Sequence, residues 1–319
     1  AASDVPRIDF SDSTNGALKL EPQRTNKITY SEDFSELSTG GNMTIESGFL
    51  APDGTLNARK ITCTDNTGLI SVGGTLANDA RTIYAKTVSG TGTAQLLSHN
   101  TNTNNIFTIT EQWQRFELNS TPSVASNFYV IDFRDPSQTL TEVILWGAQA
   151  EVGSYATSYI PSLSGSATTR LADVCSQTPP SGVIGQTEGT MYVDFNINSL
   201  ENQTNNPVVL SFNSSNYIQV YGNGRVHYYD GTGNININLS NYGLTNGKHK
   251  FGIAYNINDV AFYIDGTLAG TDTNCSPSAK SSLYLGYTNV NFLPFISYNE
   301  VKLYNTRLPN AELQALTTI

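Results

Sequence analysis

The sequence predicts an all-β protein: two antiparallel β-sandwiches in tandem and a short C-terminal helix. Three observations lead there. Short runs of alternating apolar and polar residues recur with Gly, Asn, Asp and Pro between them, the pattern of strands joined by tight turns. Only 14% of the 319 residues are charged, and Ser, Thr, Asn and Gly take their place; neutral polar side chains pair across solvent-facing strands without repulsion. Strand–helix–strand alternation is absent, which argues against doubly wound and barrel α/β folds.

Residues 1–26 are polar and weakly periodic, and read as an extended attachment segment reaching another chain, a neighbouring domain or an anchoring part. Residues 27–161 carry the strand-like runs Arg81–Lys86, Thr93–Leu97, Ile106–Ile109, Arg115–Leu118, Phe128–Phe133 and Glu142–Trp146, spaced as in a sandwich. Residues 162–186 are rich in Ser, Thr, Gly and Pro, and form the expected linker. Residues 187–319 make the second sandwich. It opens on a strand with Met191, Val193, Phe195 and Ile197 on one face and Tyr192, Asp194 and Asn196 on the other. A hairpin follows: Tyr217–Tyr221, a Gly222-Asn223-Gly224 turn, then Arg225–Tyr229. A second runs Val260–Ile264, Asp265-Gly266, Thr267–Ala269, with the Asp-Gly pair that a type I′ turn favours. Leu283–Leu285 and Val301–Tyr304 add strands, and Asn310 is the expected N-cap of a last helix with Glu312, Leu313 and Leu316.

The net charge of −10, from 17 basic and 27 acidic residues, argues against nucleic acid or an anionic membrane as main partner, since phosphate binding needs clustered Lys and Arg. No apolar run approaches the roughly 18 residues of a membrane span. Cys63, Cys175 and Cys275 form no CxxC or metal spacing and read as free thiols. No signal-peptide pattern opens the chain and residue 1 is not Met, so it reads as a processed form or part of a longer protein.

The run Trp146-Gly147-Ala148-Gln149-Ala150-Glu151-Val152-Gly153 continues into Tyr155-Ala156-Thr157-Ser158-Tyr159-Ile160-Pro161. With Pro6-Arg7-Ile8-Asp9-Phe10, Leu20-Glu21-Pro22-Gln23-Arg24-Thr25-Asn26 and Tyr30-Ser31-Glu32-Asp33-Phe34, it resembles the jelly-roll modules of bacteriophage virion proteins. Residues 27–161, marked by Trp113-Gln114-Arg115-Phe116 and Trp146-Gly147-Ala148-Gln149, are similar to a carbohydrate-binding-module jelly roll. Residues 187–319 resemble a laminin-G-like or concanavalin-A-like domain through Lys248–Tyr255, Val260–Gly270, Leu283–Gly286 and Val301–Leu308. The resemblance implies a non-catalytic virion structural protein, a fibre, head-fibre or tail appendage on the particle surface. Its domains would face a host-surface glycan or receptor and other virion proteins, in a homo-oligomer that likeness to fibre proteins makes a trimer. Two alternatives stand beside it: a polysaccharide-degrading lyase or glycosidase, or an accessory module of one, and a purely structural decoration protein. Such sandwiches often hold a structural calcium ion, for which Asp9, Asp12 and Asp132 are the candidates.

Catalytic patterns are weak. A glycosidase needs two carboxylates, roughly 5 Å apart in the retaining case, and concanavalin-A-like glycosidases usually display Glu-x-Asp-x-x-Glu along one strand. Here Glu188, Glu201, Glu300 and Glu312 have no partner two or three residues away. Glu32, Asp33 and Glu36 cluster with the wrong spacing and read as a solvated turn. His99, His227 and His249 fit no metal motif, although Arg225, His227 and Tyr229 could imitate a lyase set of base and neutraliser. Trp113 and Trp146 read as plugs of a sandwich rather than sugar platforms.

The hairpin is the best candidate site. Alternation puts Tyr217, Gln219, Tyr221, Arg225, His227 and Tyr229 on one face and Ile218, Val220, Val226 and Tyr228 on the other. The second set is the natural core face. The first offers apolar rings, cations and an amide, suited to a glycan or receptor or to a protomer interface, and otherwise an ordinary solvated sheet face.

Overall fold

A computed structural model describes residues 6–10, 14–73, 79–98, 105–121, 127–200, 207–231, 235–286 and 295–319. Asp12, His99 and Glu201 lie outside the described residues. Among the described residues the fold is all-β with antiparallel sheets and one short terminal α-helix, as predicted. The chain divides into two compact units, one of residues 24–170 and one of residues 1–23 with 171–319.

Two short strands open the chain, β1 (Ile8–Asp9) and β2 (Ala17–Leu20). Residues 24–170 then supply β3 (Arg24–Asn26), β4 (Ser38–Gly40), β5 (Thr44–Phe49), β6 (Ala58–Thr62), β7 (Leu69–Gly73) and β8 (Asp79–Lys86). They continue with β9 (Gly92–Leu96), β10 (Ile106–Ile109), β11 (Gln114–Thr121), β12 (Asn127–Asp132), β13 (Glu142–Val152) and β14 (Thr168–Arg170). Two five-stranded sheets, ordered β10-β9-β12-β7-β4 and β11-β8-β13-β6-β5, enclose a core that includes Ile70, Ile83, Leu96, Val130 and Leu145.

The run that carries the first resemblance has a structural task. On β13, Val143 and Leu145 enter this core while Ile144 and Trp146 join a smaller cluster. At Gly147 the register shifts and φ is +66°, a bulge conformation that glycine adopts without strain. The extra residue reverses the parity, so Ala148 and Ala150 now enter the core. Gln149 and Glu151 therefore turn the other way, are fully buried, and hold the loop that follows. Gln149 Oε1 accepts from Ile160 N at 2.6 Å; Glu151 accepts from Thr157 N at 2.8 Å and from Thr157 Oγ1 at 2.6 Å.

The other unit continues with β15 (Cys175–Gln177), β16 (Gly189–Ser199), β17 (Val208–Asn213), β18 (Asn216–Val220), β19 (Val226–Asp230) and β20 (Ile235–Leu239). It ends with β21 (Gly247–Asn256), β22 (Asp259–Ile264), β23 (Thr267–Asp272), β24 (Leu283–Leu285), β25 (Phe295–Tyr304) and the helix α1 (Asn310–Thr317). A seven-stranded sheet, β1-β2-β25-β16-β21-β22-β23, and a six-stranded sheet, β15-β24-β17-β18-β19-β20, share one core. Met191, Val193, Phe195 and Ile197 enter it from β16, and Ile218, Val220, Val226 and Tyr228 from the hairpin. Strands β1 and β2 belong to this sandwich. Leu18 pairs with Tyr298, Leu20 is buried in the core, and buried Glu21 faces Arg7 at 3.4 Å. Asp265 and Gly266 both have positive φ, +51° and +77°, as the type I′ turn requires. The helix starts one residue earlier than expected: Pro309, not Asn310, is its N-cap, and its carbonyl accepts from Leu313 N at 3.0 Å.

Candidate functional site

The six candidate residues lie on the face of the six-stranded sheet away from the core. Tyr217 pairs with Tyr229 and Gln219 with His227, while the alternate positions are buried in the core. The turn is closed by Tyr221 N donating to Arg225 O at 2.9 Å and Gly224 N to Tyr221 O at 2.8 Å. Pairing of β19 with β20 then brings in two residues that sequence reasoning missed. Asn236 lies opposite Tyr229 and Asn238 opposite His227, both exposed. The signal was present in Ile235-Asn236-Ile237-Asn238-Leu239, a strict alternation. At the other side, Leu283 and Leu285 pack on the core, so Tyr284 between them joins the outer face, beside Ser211, which in turn pairs with Tyr217.

Side-chain contacts fix this face. The rings of Tyr217 and Tyr229 are 5.5 Å apart, and His227 lies 6.2 Å from the first and 5.6 Å from the second. The Arg225 guanidinium sits 4.3 Å from the centre of the Tyr221 ring, and its Nε donates to Asn238 Oδ1 at 2.8 Å. His227 Nε2 lies 2.9 Å from Asn236 Oδ1. The amide oxygen accepts, so Nε2 carries the proton and Nδ1 the lone pair. Burial pushes the His227 pKa below 6.5; the Asn236 bond opposes this and the Arg225 charge adds to it. The ring is therefore neutral at pH 7. Gln219 is only 8% exposed and offers little surface to a ligand. Among the described residues no carboxylate pairs with these side chains; at the edge of the set Asp272 Oδ2 accepts from Asn236 N at 3.4 Å.

A second polar feature lies on the seven-stranded sheet, a cleft of about 620 Å³ lined by Asp194, Asn196, Lys248, Asn299 and Glu300 among others. Asp194 and Glu300 stand opposite one another on β16 and β25. A search along single strands cannot find this pair, because it forms across two strands distant in sequence. Each acid faces a cation: Asp194 lies 3.5 Å from Lys248 Nζ and accepts from Asn299 Nδ2 at 2.8 Å, and Glu300 lies 2.8 Å from Lys302 Nζ.

The remaining candidates are structural. Trp146 is buried, 5.3 Å from Tyr84 and 4.6 Å from Tyr159. Trp113 is half-buried under Lys86 Nζ at 5.4 Å. Glu32 accepts from Tyr159 OH at 3.0 Å, and Asp33 caps the turn at Phe34–Glu36 and pairs with Arg59 at 3.1 Å. The calcium candidates Asp9 and Asp132 belong to different units and face Lys19 at 3.2 Å and Arg134 at 2.7 Å. Among the described residues no group of three or more His, Cys, Asp or Glu could hold a metal ion, and no helix is long and apolar enough to cross a membrane.

No family model matches the chain, and no curated protein does. Several solved structures are similar to part of it. The CBM40 module of the Ruminococcus gnavus IT-sialidase is 14% identical, with a TM-score of 0.34 over 42% of this chain and 84% of that one. Domain 4 of AbnA, a GH43 extracellular arabinanase from Geobacillus stearothermophilus, is 13% identical, with a TM-score of 0.32 over 46% of this chain and 82% of that one. A Trypanosoma rangeli sialidase is 18% identical, with a TM-score of 0.33; the match covers 41% of this chain but only 22% of the sialidase.

Proposed function

We propose that this chain is a non-catalytic glycan- or receptor-binding protein and that the outer face of its β18–β19 hairpin makes the contact. The observation that carries the reading is a solvent-side sheet face holding Tyr217, Tyr221, Tyr229, Arg225 and His227, with no carboxylate among the described residues paired with these side chains, in a chain of net charge −10. Tyrosine presents an apolar ring to the C–H face of a sugar and a hydroxyl to its rim. Arg225, Asn236 and Asn238 supply directed hydrogen bonds to hydroxyls and acids. The setting in a phage virion appendage, and an oligomer that multiplies weak contacts, rest on the sequence resemblance.

The test is a glycan array followed by titration with Tyr217→Ala, Tyr221→Ala and Tyr229→Ala variants that keep the native oligomer. Each is expected to weaken binding about five- to thirtyfold, as lost aromatic contacts typically do. Unchanged binding in all three eliminates the face; loss of the oligomer makes it a protomer interface instead. A second reading, a polysaccharide lyase, is favoured by the presence of Arg225, His227 and Tyr229 on one face. It requires an unsaturated product whose ultraviolet absorbance grows with time and is lost in Tyr229→Phe.

A further inference from the structure

The arginines of this chain are used internally, with one exception. Arg59, Arg115, Arg134 and Arg307 lie within 3.1 Å of the carboxylates of Asp33, Glu117, Asp132 and Asp259. Arg81 lies 2.6 Å from Asp79, and Arg7 is bonded to Asp173 and faces Glu21. Arg24 and Arg170 act on the buried carboxylate of Glu151. In a chain with 27 acids and 17 bases this outcome is the expected one.

Arg225 differs. Among the described residues no carboxylate pairs with it; its side-chain partners are the neutral Tyr221 ring at 4.3 Å and Asn238 Oδ1 at 2.8 Å. The Tyr221 ring packs against the guanidinium, and the Nε bond anchors it. Nη1 and Nη2, the end of the fork that takes a carboxylate through two parallel bonds, make no hydrogen bond to the described residues. Next along the face stands a neutral His227, and beyond it the Tyr217 and Tyr229 rings, 5.5 Å from one another. A guanidinium held this way without an acid is pre-organised for an anion, and aromatic rings next to it suit a pyranose.

We infer that the face recognises an acidic glycan, with the sugar carboxylate held end-on by the Arg225 guanidinium and the pyranose faces against Tyr217 and Tyr229. This rests on the glycan-binding reading above and names its ligand class. The chemistry is shared by hexuronic and sialic acids, so the experiment has an arm for each.

Calorimetric titration of the full chain compares oligogalacturonate with its methyl ester, and sialyllactose with lactose. At least one acid is expected to bind roughly tenfold or more tightly than its neutral counterpart, the scale of one charge-assisted bond pair, and to weaken as salt rises. Arg225→Gln abolishes the preference, so that the acid and its neutral counterpart bind alike. Arg225→Lys restores only part, because an ammonium lacks the planar fork. Asn238→Ala, which frees Nε while keeping the charge, weakens the preference and serves should Arg225→Gln not fold. An acid preference that survives Arg225→Gln overturns the assignment. Neutral sugars that bind as well as the acids overturn it while leaving the glycan reading intact. Wild-type protein that binds no sugar in either arm overturns both.

Discussion

His249 and Asp265 form a charge-assisted pair that joins β21 to the β22–β23 turn: His249 Nδ1 lies 2.7 Å from Asp265 Oδ2. The other ring nitrogen, Nε2, lies 2.9 Å from the Thr245 carbonyl. Two acceptors flank one imidazole, and only the imidazolium can donate to both. Asp265 Oδ1 also accepts from Lys250 N at 2.8 Å, so the residue that makes the turn is tied to β21 a second time.

Burial lowers the His249 pKa, but the Asp265 and Thr245 bonds and the Asp265 charge outweigh it, and the net direction is upward from 6.5. A raised histidine stabilises the fold fully below its unfolded pKa and loses that contribution as pH rises through the folded value. Urea unfolding of the full chain at pH 5.5 and 8.5 is expected to show this loss in wild type and a smaller one in Asp265→Asn. Equal pH dependence in both would contradict the assignment.

Lys280 has the opposite sign. Its side chain is fully buried, with Nζ donating to Ser278 O at 2.8 Å, 4.3 Å from the Tyr255 ring centre and 3.8 Å from Asp230. Burial pulls its pKa down to about 8, and Asp230 offsets only part of that. The unfolded lysine holds its proton to higher pH, so stability rises as pH climbs above 8. Between pH 7 and 9 wild type should gain roughly 1 kcal/mol more than Lys280→Met. Comparison stops at pH 9 because buried phenols such as Tyr228, raised by burial, oppose the gain beyond it. Parallel pH curves for the two proteins would refute the reading.

Asn26 is fully buried and makes four bonds: Nδ2 to the carbonyls of Ala148 at 3.2 Å and Ile160 at 2.9 Å, and Oδ1 from the amides of Ile28 at 3.0 Å and Ala150 at 3.1 Å. Asn26→Ala strands these backbone groups and should cost on the order of 3 kcal/mol or more. Thermal unfolding checks it; a loss below about 1 kcal/mol would mean that water replaces the amide.

His227 reports on the candidate face. Its ring should titrate below 6.5 by NMR, chiefly because it is buried, with the Arg225 charge the smaller cause. Arg225→Gln is expected to move the midpoint up but not fully back. A midpoint that does not respond to Arg225 would show that the two groups are not close in solution.

Much of the hairpin was legible because its information is local. The alternation from Tyr217 to Tyr229 and the Gly222-Asn223-Gly224 turn decide which side chains share a face, since a one-residue slip would bury Arg225 and expose Val226. The partners on β20 and β24 depend on strand order, which periodicity does not encode, and so Asn236, Asn238 and Tyr284 stayed hidden. The opposed acids Asp194 and Glu300 escaped for the same reason.

The sequence by itself determined the all-β class, the strand faces and the turn chemistry, because side-chain period and positive-φ positions are properties of a few consecutive residues. Only the tertiary structure decided that Ala17–Leu20 joins a sheet beside Phe295–Tyr304, that Gln149 and Glu151 are buried to hold a loop, and that no carboxylate among the described residues pairs with Arg225. Those facts depend on which distant strands meet, and pairing energy between polar strands is too uniform for composition to name the partner.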